Sequence, residues 1–369
     1  MMPIIQIVPR LFPEVDGVGD YALSLAHQMD RDFNIKTHFI VGDPSWSGKK
    51  EIDGFNISQI TNHSSTNLVS LLNEIGNNAS SVVLQYVGCG YARRGCPLWL
   101  VKGLEDYKNA YPTKKLVTMF HETYGSGAPY YGADPPWISA FWLSPVQKNI
   151  ASRLVLLSNH CLTSREQFRQ QLQHLTRRQK SQISVMPVFS NVEEAQDLYP
   201  LEDRHPILVV FGSRNSRARI YEQFPHALQD ACRILKIEKI YDIGPPIGFN
   251  INKFSNVPVI SMGVRSTSEI GKILLKSKAG ILNYPPEFLA KSGVYAAYSA
   301  YGLIPIVVSS NAVLVDGMDG LRNGENYWAI NHTTESLNLE VGKRIANQAY
   351  AWYQAHNLAT QAEIFAKQL

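Results

Sequence analysis

Residues 280–309 read GILNYPPEFLAKSGVYAAYSAYGLIPIVVS. A short apolar run opens the stretch, and Tyr284-Pro285-Pro286 breaks it, because proline has no N–H to give and forces the preceding residue to extend. The small residues of 294–301 predict a helix that packs closely on a sheet, Gly302 predicts its stop, and the β-branched residues of 304–308 predict a buried strand. Strand, loop, helix and strand in this order make half of a doubly wound α/β layer. Ligands of such layers sit beyond the carboxyl ends of the strands, so chemistry is expected in the loop 283–293. The helix start there offers free N–H groups and a partial positive charge, which suit phosphate.

The same stretch resembles the nucleotide-sugar segment of GT-B glycosyltransferases, above all the retaining family 4, whose pattern is Glu-x7-Glu followed by a helix ending in Gly-x-Pro. Glu287 stands for the first acid, two residues further from the terminal glycine than the pattern has it. The second acid falls on Ala297, and Gly302-Leu303-Ile304-Pro305 carries one extra residue. In that family the second Glu holds the donor ribose.

The rest of the 369 residues sets bounds on this reading. The length suits two domains, and 45% apolar residues suffice for a core in each. Lys plus Arg exceed Asp plus Glu by 35 − 31 = 4, an excess that suits anions such as diphosphates and is too small to imply a nucleic-acid protein. Cys89, Cys96, Cys161 and Cys232 form no C-x-x-C pair, which points to a reducing cytoplasm and away from a zinc site or a disulfide scaffold. The apolar start MMPIIQIV is short and reads as a first strand, and no run approaches the roughly 20 residues that span a bilayer, so any membrane contact is expected to be peripheral. Oligomeric state is left open.

In chain order, a strand is expected at 4–8 and a helix from Gly17, where Val18, Tyr21, Ala22, Leu25, Ala26 and Met29 form an apolar stripe. Gly17-x-Gly19-x-x-Ala22 has two functional readings. The glycines bring backbone N–H groups to a diphosphate, as the first loop of GT-B enzymes does, or they form a dinucleotide fingerprint with Asp43, after the strand 36–41, on a ribose hydroxyl. Residues 9–16 lie between the strand and Gly17, whereas a dinucleotide fingerprint follows its strand almost at once; sugar transfer is the preferred reading. A turn that serves packing alone is the plain alternative.

A strand at 81–87 leads to Gly88-Cys89-Gly90-Tyr91-Ala92-Arg93-Arg94-Gly95, in which Tyr91 and Arg94 are candidate acceptor ligands. The strand 115–120 leads to His121-Glu122-Thr123-Tyr124-Gly125-Ser126-Gly127, well placed for a cleft. Family 4 members carry His-Asp or His-Glu here, so the resemblance implies His121 near the transferred sugar, with Glu122 and Tyr124 toward the acceptor. An aromatic-rich helix is expected at 135–149 with Trp137, Phe141 and Trp142, and 153–157 leading to Ser158 resembles the family's strand that ends in serine. The polar helix expected at 164–180 carries Arg165, Arg169, Arg177, Arg178 and Lys180, a solvated face or a contact with anionic lipid.

The domain boundary is expected in the polar stretch 191–206. A strand at 207–211 then ends in Gly212-Ser213-Arg214-Asn215-Ser216-Arg217-Ala218-Arg219, positive charge concentrated at the ligand edge. In family 4 an Arg and a later Lys bind the donor diphosphate there; Arg214 resembles the first, and Arg217 or Arg219 stands in for the second. Turns follow at Asp316-Gly317, with a last strand at 327–330.

The expected architecture is therefore α/β, a GT-B fold of two doubly wound Rossmann-like domains facing a cleft: an acceptor-binding domain at 1–195, a nucleotide-sugar-binding domain at 205–334, and helices of 335–369 returning to the first. The resemblance implies a metal-independent, retaining hexosyltransferase without a cofactor, whose partners are a nucleotide sugar and a hydroxyl acceptor. Gly17, Gly19, Arg214, Arg219, Lys291, Ser292 and Gly293 would bind the donor diphosphate, with His121 and Glu287 as the catalytic pair. The rivals are an inactive GT-B scaffold, which the missing second Glu supports, and an NAD(P)-dependent oxidoreductase, which Gly17–Ala22 and Asp43 support.

Overall fold

The computed structural model describes residues 3–14, 16–76, 81–124, 136–176, 183–310, 318–330 and 337–369, without the side chains of 136–143. Gly125 to Gly127, the rings of Trp137, Phe141 and Trp142, Arg177, Arg178, Lys180, the 316–317 turn and Glu335 lie outside the described residues. Two compact units divide the chain: Met1–Met186 with Leu358–Leu369, and Pro187–Asn357.

The strands of the first unit are β1 (Ile4–Val8), β2 (Thr37–Val41), β3 (Glu51–Ile52), β4 (Phe55–Gln59), β5 (Ser81–Tyr86), β6 (Lys115–Phe120), β7 (His160–Thr163) and β8 (Ile183–Val185). Their order in the sheet is β3-β4-β2-β1-β5-β6-β7-β8, parallel except for the β3–β4 hairpin. Alternation along the strands makes two apolar layers. Ile5, Ile7, Leu84 and Tyr86 face the helices Ser65–Gly76 and Leu98–Ala110, while Val8, Phe39 and Val41 pack against Ala22 and Ala26 of the helix Gly17–Phe33. The final helix, Leu358–Gln368, packs on Gly17–Phe33, where the Tyr21 hydroxyl donates to Gln361 Oε1 at 2.6 Å.

The second unit holds β9 (His205–Phe211), β10 (Lys239–Ile243), β11 (Lys253–Phe254), β12 (Val257–Gly263), β13 (Ser277–Asn283), β14 (Ile304–Val308) and β15 (Trp328–Ala329). The order is β11-β12-β10-β9-β13-β14-β15, parallel except for β11. Residues 280–309 fold as their sequence implies: β13, a turn, the helix Gly293–Ala300, then Gly302 at φ +59 and β14. A side chain at Gly302 would be held in the left-handed region, which explains the glycine at this stop.

Three expectations change. The boundary falls at 186/187, ahead of the polar stretch, and the helix Leu339–Gln354 stays with the second unit, because Val341, Ile345 and Ala346 are buried in that unit's core with Ile304 and Ile306. Residues 153–157 continue the helix Pro136–Leu157, so the strand that ends before a serine is β7, followed by Ser164; the Ser158 hydroxyl instead donates to Leu154 O at 2.7 Å. Residues 214–223 are helical. No helix among the described residues is long and apolar enough to cross a membrane.

Candidate functional site

In the second sheet the order of strands reverses between β9 and β13, and it is at the carboxyl edge of such a reversal that ligands of doubly wound sheets sit. After β9 the chain turns at Gly212, and Ser213 caps the helix Arg214–Gln223 by accepting the Ser216 N–H at 3.3 Å. A Cβ on Gly212 would stand 3.5 Å from Val294 Cγ2, so this turn abuts the start of Gly293–Ala300. The Ser216 hydroxyl donates to Asn283 O at 3.1 Å and ties the two loops together. Between the strand ends, the Tyr298 hydroxyl accepts the Phe211 N–H at 3.1 Å and lies 3.2 Å from Val209 O.

The three arginines divide by burial. Arg214 and Arg219 are exposed, and Arg214 lies across Gly248, where a Cβ would come within 2.5 Å of its Nη2. Arg217 is fully buried: its Nη1 donates to Asp242, its Nη2 to Pro245 O and its Nε to Gly212 O at 3.0 Å. The Tyr221 hydroxyl completes the cluster by donating to the second Asp242 oxygen at 3.0 Å. Arg217 therefore fixes the loops that carry Arg214 and is itself committed to them.

After β13, Glu287 lies half-buried on the short turn Pro286–Lys291, and its buried Oε2 has no hydrogen-bond partner among the described residues. A buried acceptor left without a donor costs about 1–3 kcal/mol, and more when charged. Half-buried Lys291 and buried Ser292 follow, and Ser292 Oγ caps Gly293–Ala300 by accepting the Tyr295 N–H at 3.1 Å. Ala297 is buried inside that helix.

The first sheet reverses between β1 and β5. After β1, Asp16 Oδ1 accepts the N–H groups of Val18 and Gly19 at 2.9 and 3.1 Å. A Cβ on Gly19 would stand 2.2 Å from Arg10 O, so that glycine admits a backbone; around Gly17 a Cβ would meet nothing within 4 Å. Arg10 Nε donates to Asp43 Oδ2 at 2.7 Å, and the Ser45 N–H and hydroxyl fill Oδ1 at 2.9 and 2.6 Å. Burial works to raise the Asp43 carboxyl, but the Ser45 and Arg10 hydrogen bonds overcome it and hold the group below its ordinary range. Both oxygens are thus engaged by neighbours.

Tyr91 is buried with its hydroxyl 2.8 Å from Gln85 O and 3.0 Å from Ile7 O, so the ring serves the core. Arg94 is exposed at φ 68, its carbonyl accepting Gln147 Nε2 at 2.9 Å. Glu122 and Tyr124 are half-buried beyond β6. His121 is buried, its ring edge-on to Tyr21 at 5.0 Å between centroids and its Nε2 2.8 Å from Gln85 Oε1. On the helix Glu166–Thr176, Arg169 pairs with Glu166, and Arg165 just ahead of it is buried against the Phe168 ring.

No protein-family model and no curated protein sequence matches the chain. Solved structures do. The lipopolysaccharide outer core galactosyltransferase WaaB in its apo form is 12% identical with a TM-score of 0.58, covering 100% of this chain and 99% of its own. An α-glucosyltransferase in complex with UDP-glucose and DNA containing an abasic site is 11% identical at 0.58, covering 100% and 99%. The pneumococcal O-GlcNAc transferase GtfA in complex with UDP and GlcNAc is 9% identical at 0.58, covering 99% and 98%. The fold is GT-B.

Within this GT-B fold, the second unit brings Arg214, Ser292 and Gly293 to one switch point, with Glu287 on the loop between, while Arg217 and Ala297 belong to the scaffold. Two glutamines escape the reading of the chain. Gln6 in IIQIV and Gln85 in SVVLQY each interrupt an apolar strand, and both are fully buried. A lone amide inside an apolar run was the available signal, since burying one is costly unless it is hydrogen-bonded.

Proposed function

We propose that the protein is a glycosyltransferase of hexosyl type, which moves a sugar from a nucleotide-sugar donor to an acceptor hydroxyl with retention and without a metal or other cofactor. Glu287 carries the reading: a buried carboxylate oxygen without a donor, on the carboxyl edge at the switch point of a GT-B unit, suits the hydroxyls of a bound sugar. Arg214, Arg219, Lys291 and the helix start at Gly293 supply the positive charge that a departing diphosphate needs. His121 orients the donor sugar. In a retaining transfer, departure and attack share one face of the sugar, so no protein nucleophile is required.

Free cysteines throughout fit a reducing cytoplasm, with membrane contact at most peripheral. The oxidoreductase alternative loses its ribose ligand, because both Asp43 oxygens are engaged. A GT-B scaffold that binds without transferring draws on the buried Ala297, where an acid is expected.

Thermal unfolding with UDP, GDP, ADP and NADH tests the reading, since a ligand at about 100 times its Kd adds roughly 2.7 kcal/mol. UDP is the first choice because two of the similar structures hold it or its glucose ester. A shift with one nucleoside diphosphate, followed by hydrolysis or transfer from its sugar ester to sugar, lipid or DNA hydroxyls, supports the proposal. A shift with NADH alone overturns it, and binding without any turnover favours the scaffold.

A further inference from the structure

Tyr91, expected among the acceptor ligands, is the buried floor under two more exposed rings. Its ring lies edge-on to Trp99, 6.4 Å between centroids, and the Trp99 indole donates Nε1–H to Tyr91 O at 3.2 Å. Half-buried Trp99 carries in turn the exposed ring of His63, stacked on it at 5.1 Å and 16° while His63 Nε2 donates to Gly42 O at 3.2 Å. A Cβ on Gly42 would come within 2.6 Å of the Tyr91 ring, so glycine lets that loop lie on the floor. Gly42 follows β2, His63 follows β4, and Trp99 opens the helix Leu98–Ala110 reached from β5. These strands run parallel, so all three loops leave one carboxyl edge of the first sheet. Packing accounts for Tyr91; the layer that His63 adds stands in solvent.

The chain around this stack is polar without charge. His63 sits in Thr61-Asn62-His63-Ser64-Ser65-Thr66-Asn67, and neither 60–73 nor 95–101 contains Asp, Glu, Lys or Arg. Asp43, next to Gly42, is engaged by Arg10 and Ser45, and the nearest charges in sequence to Trp99 are the exposed Arg93 and Arg94 and, one turn along its helix, Lys102. Phosphate, anionic lipid and nucleic acid ask for basic side chains at the contact. Stacked rings rimmed by hydroxyls and amides ask instead for a neutral ligand with one apolar face and a polar edge. A pyranose has both: its C–H groups meet the negative face of an aromatic ring, and its hydroxyls pair with Ser, Thr and Asn. We propose that the His63–Trp99 stack is the acceptor platform of the first unit, and that the acceptor is a neutral saccharide whose pyranose ring lies against it. Its role as acceptor rests on the glycosyltransferase reading, whereas its binding rests on the stack alone.

Saturation-transfer NMR of the full chain with the methyl glycosides of glucose, galactose and N-acetylglucosamine, with and without UDP, reads binding without turnover. Expected is a signal on the ring C–H protons of at least one glycoside, with affinity about tenfold lower in His63→Ala and in Trp99→Leu, the size of one aromatic contact. His63 is exposed, so His63→Ala decides alone if Trp99→Leu does not fold. In transfer assays His63→Ala should raise the acceptor KM about tenfold while the donor KM stays within about twofold. No signal from any glycoside up to about 50 mM, where a millimolar Kd is nearly saturated, overturns the inference. So does unchanged or tighter binding in His63→Ala, or a signal from sugar phosphates alone. A glycoside that binds through His63 but receives no sugar from any donor upholds the saccharide site and overturns the glycosyltransferase reading instead.

Discussion

Arg214 and Arg217 sit three residues apart on one helix and are expected to fail in opposite ways. Arg214→Ala removes an exposed guanidinium; nucleoside diphosphate affinity should drop by about 1.5–3 kcal/mol by titration calorimetry, with the unfolding midpoint unchanged. Arg217→Ala strands the buried Asp242 carboxylate and should cost about 3–5 kcal/mol in a urea titration. Equal affinity in Arg214→Ala and parent would remove that residue from the site. Glu287→Gln should keep stability, because the lost oxygen has no partner to miss, while kcat falls about a hundredfold. Full transfer in Glu287→Gln would reassign the acid. The position of Glu287 and Arg214 just past strand ends was legible because turn residues precede each of them. Arg217 was not separable from them, since its partner Asp242 lies on another strand and helical spacing alone does not show which arginine turns inward.

At the scale of elements, the loop after β1 and the helix it feeds offer a test of the two glycines. Gly19→Ala places a methyl against Arg10 O and should cost about 1–3 kcal/mol, whereas Gly17→Ala meets nothing and should leave the midpoint unchanged. A loss of diphosphate affinity in Gly17→Ala at full stability would bring this loop into the donor site. A second element carries a pH dependence. His356, just beyond Leu339–Gln354, stacks edge-on to Trp352 at 4.1 Å, and burial pushes its imidazole down to about 3 from the ordinary 6.5. As pH falls through 6.5 the unfolded chain takes up a proton that the folded chain refuses until about 3. The stabilisation is complete above 6.5 and drains away below it at up to about 1.4 kcal/mol per pH unit. His356→Gln should flatten the slope of stability between pH 6.5 and 4.5 by that amount, and an unchanged slope would place the proton elsewhere. Strands rich in Ile and Val were plain in the sequence, as was the stop at Gly302. The 153–157 run was misplaced because LVLL is equally apolar on a buried helix, and the short β7 behind it, HCLT, has too few residues to show a period.

For the whole molecule, the alternation of strands and helices in two halves was enough to read two doubly wound sheets, but where the chain finally settles depends on which core accepts each of the last helices. Leu358–Gln368 buries Ala362 and Phe365 in the first unit. Truncation after Asn357 should therefore cost at least about 3–5 kcal/mol from the lost phenyl ring alone, or roughly 10 °C in the midpoint of that unit. An unchanged melting profile would show that the helix is dispensable. Transfer itself should persist in excess EDTA; its abolition, restored by a divalent cation, would reverse the metal-independent reading. Because residues 187–357 interrupt the first unit, the unit that begins earlier in the chain is the last to be completed during synthesis. The ribosome delivers a whole second unit while the first still lacks its closing helix, so a stalled nascent chain should show a protease-resistant second unit before a resistant first one.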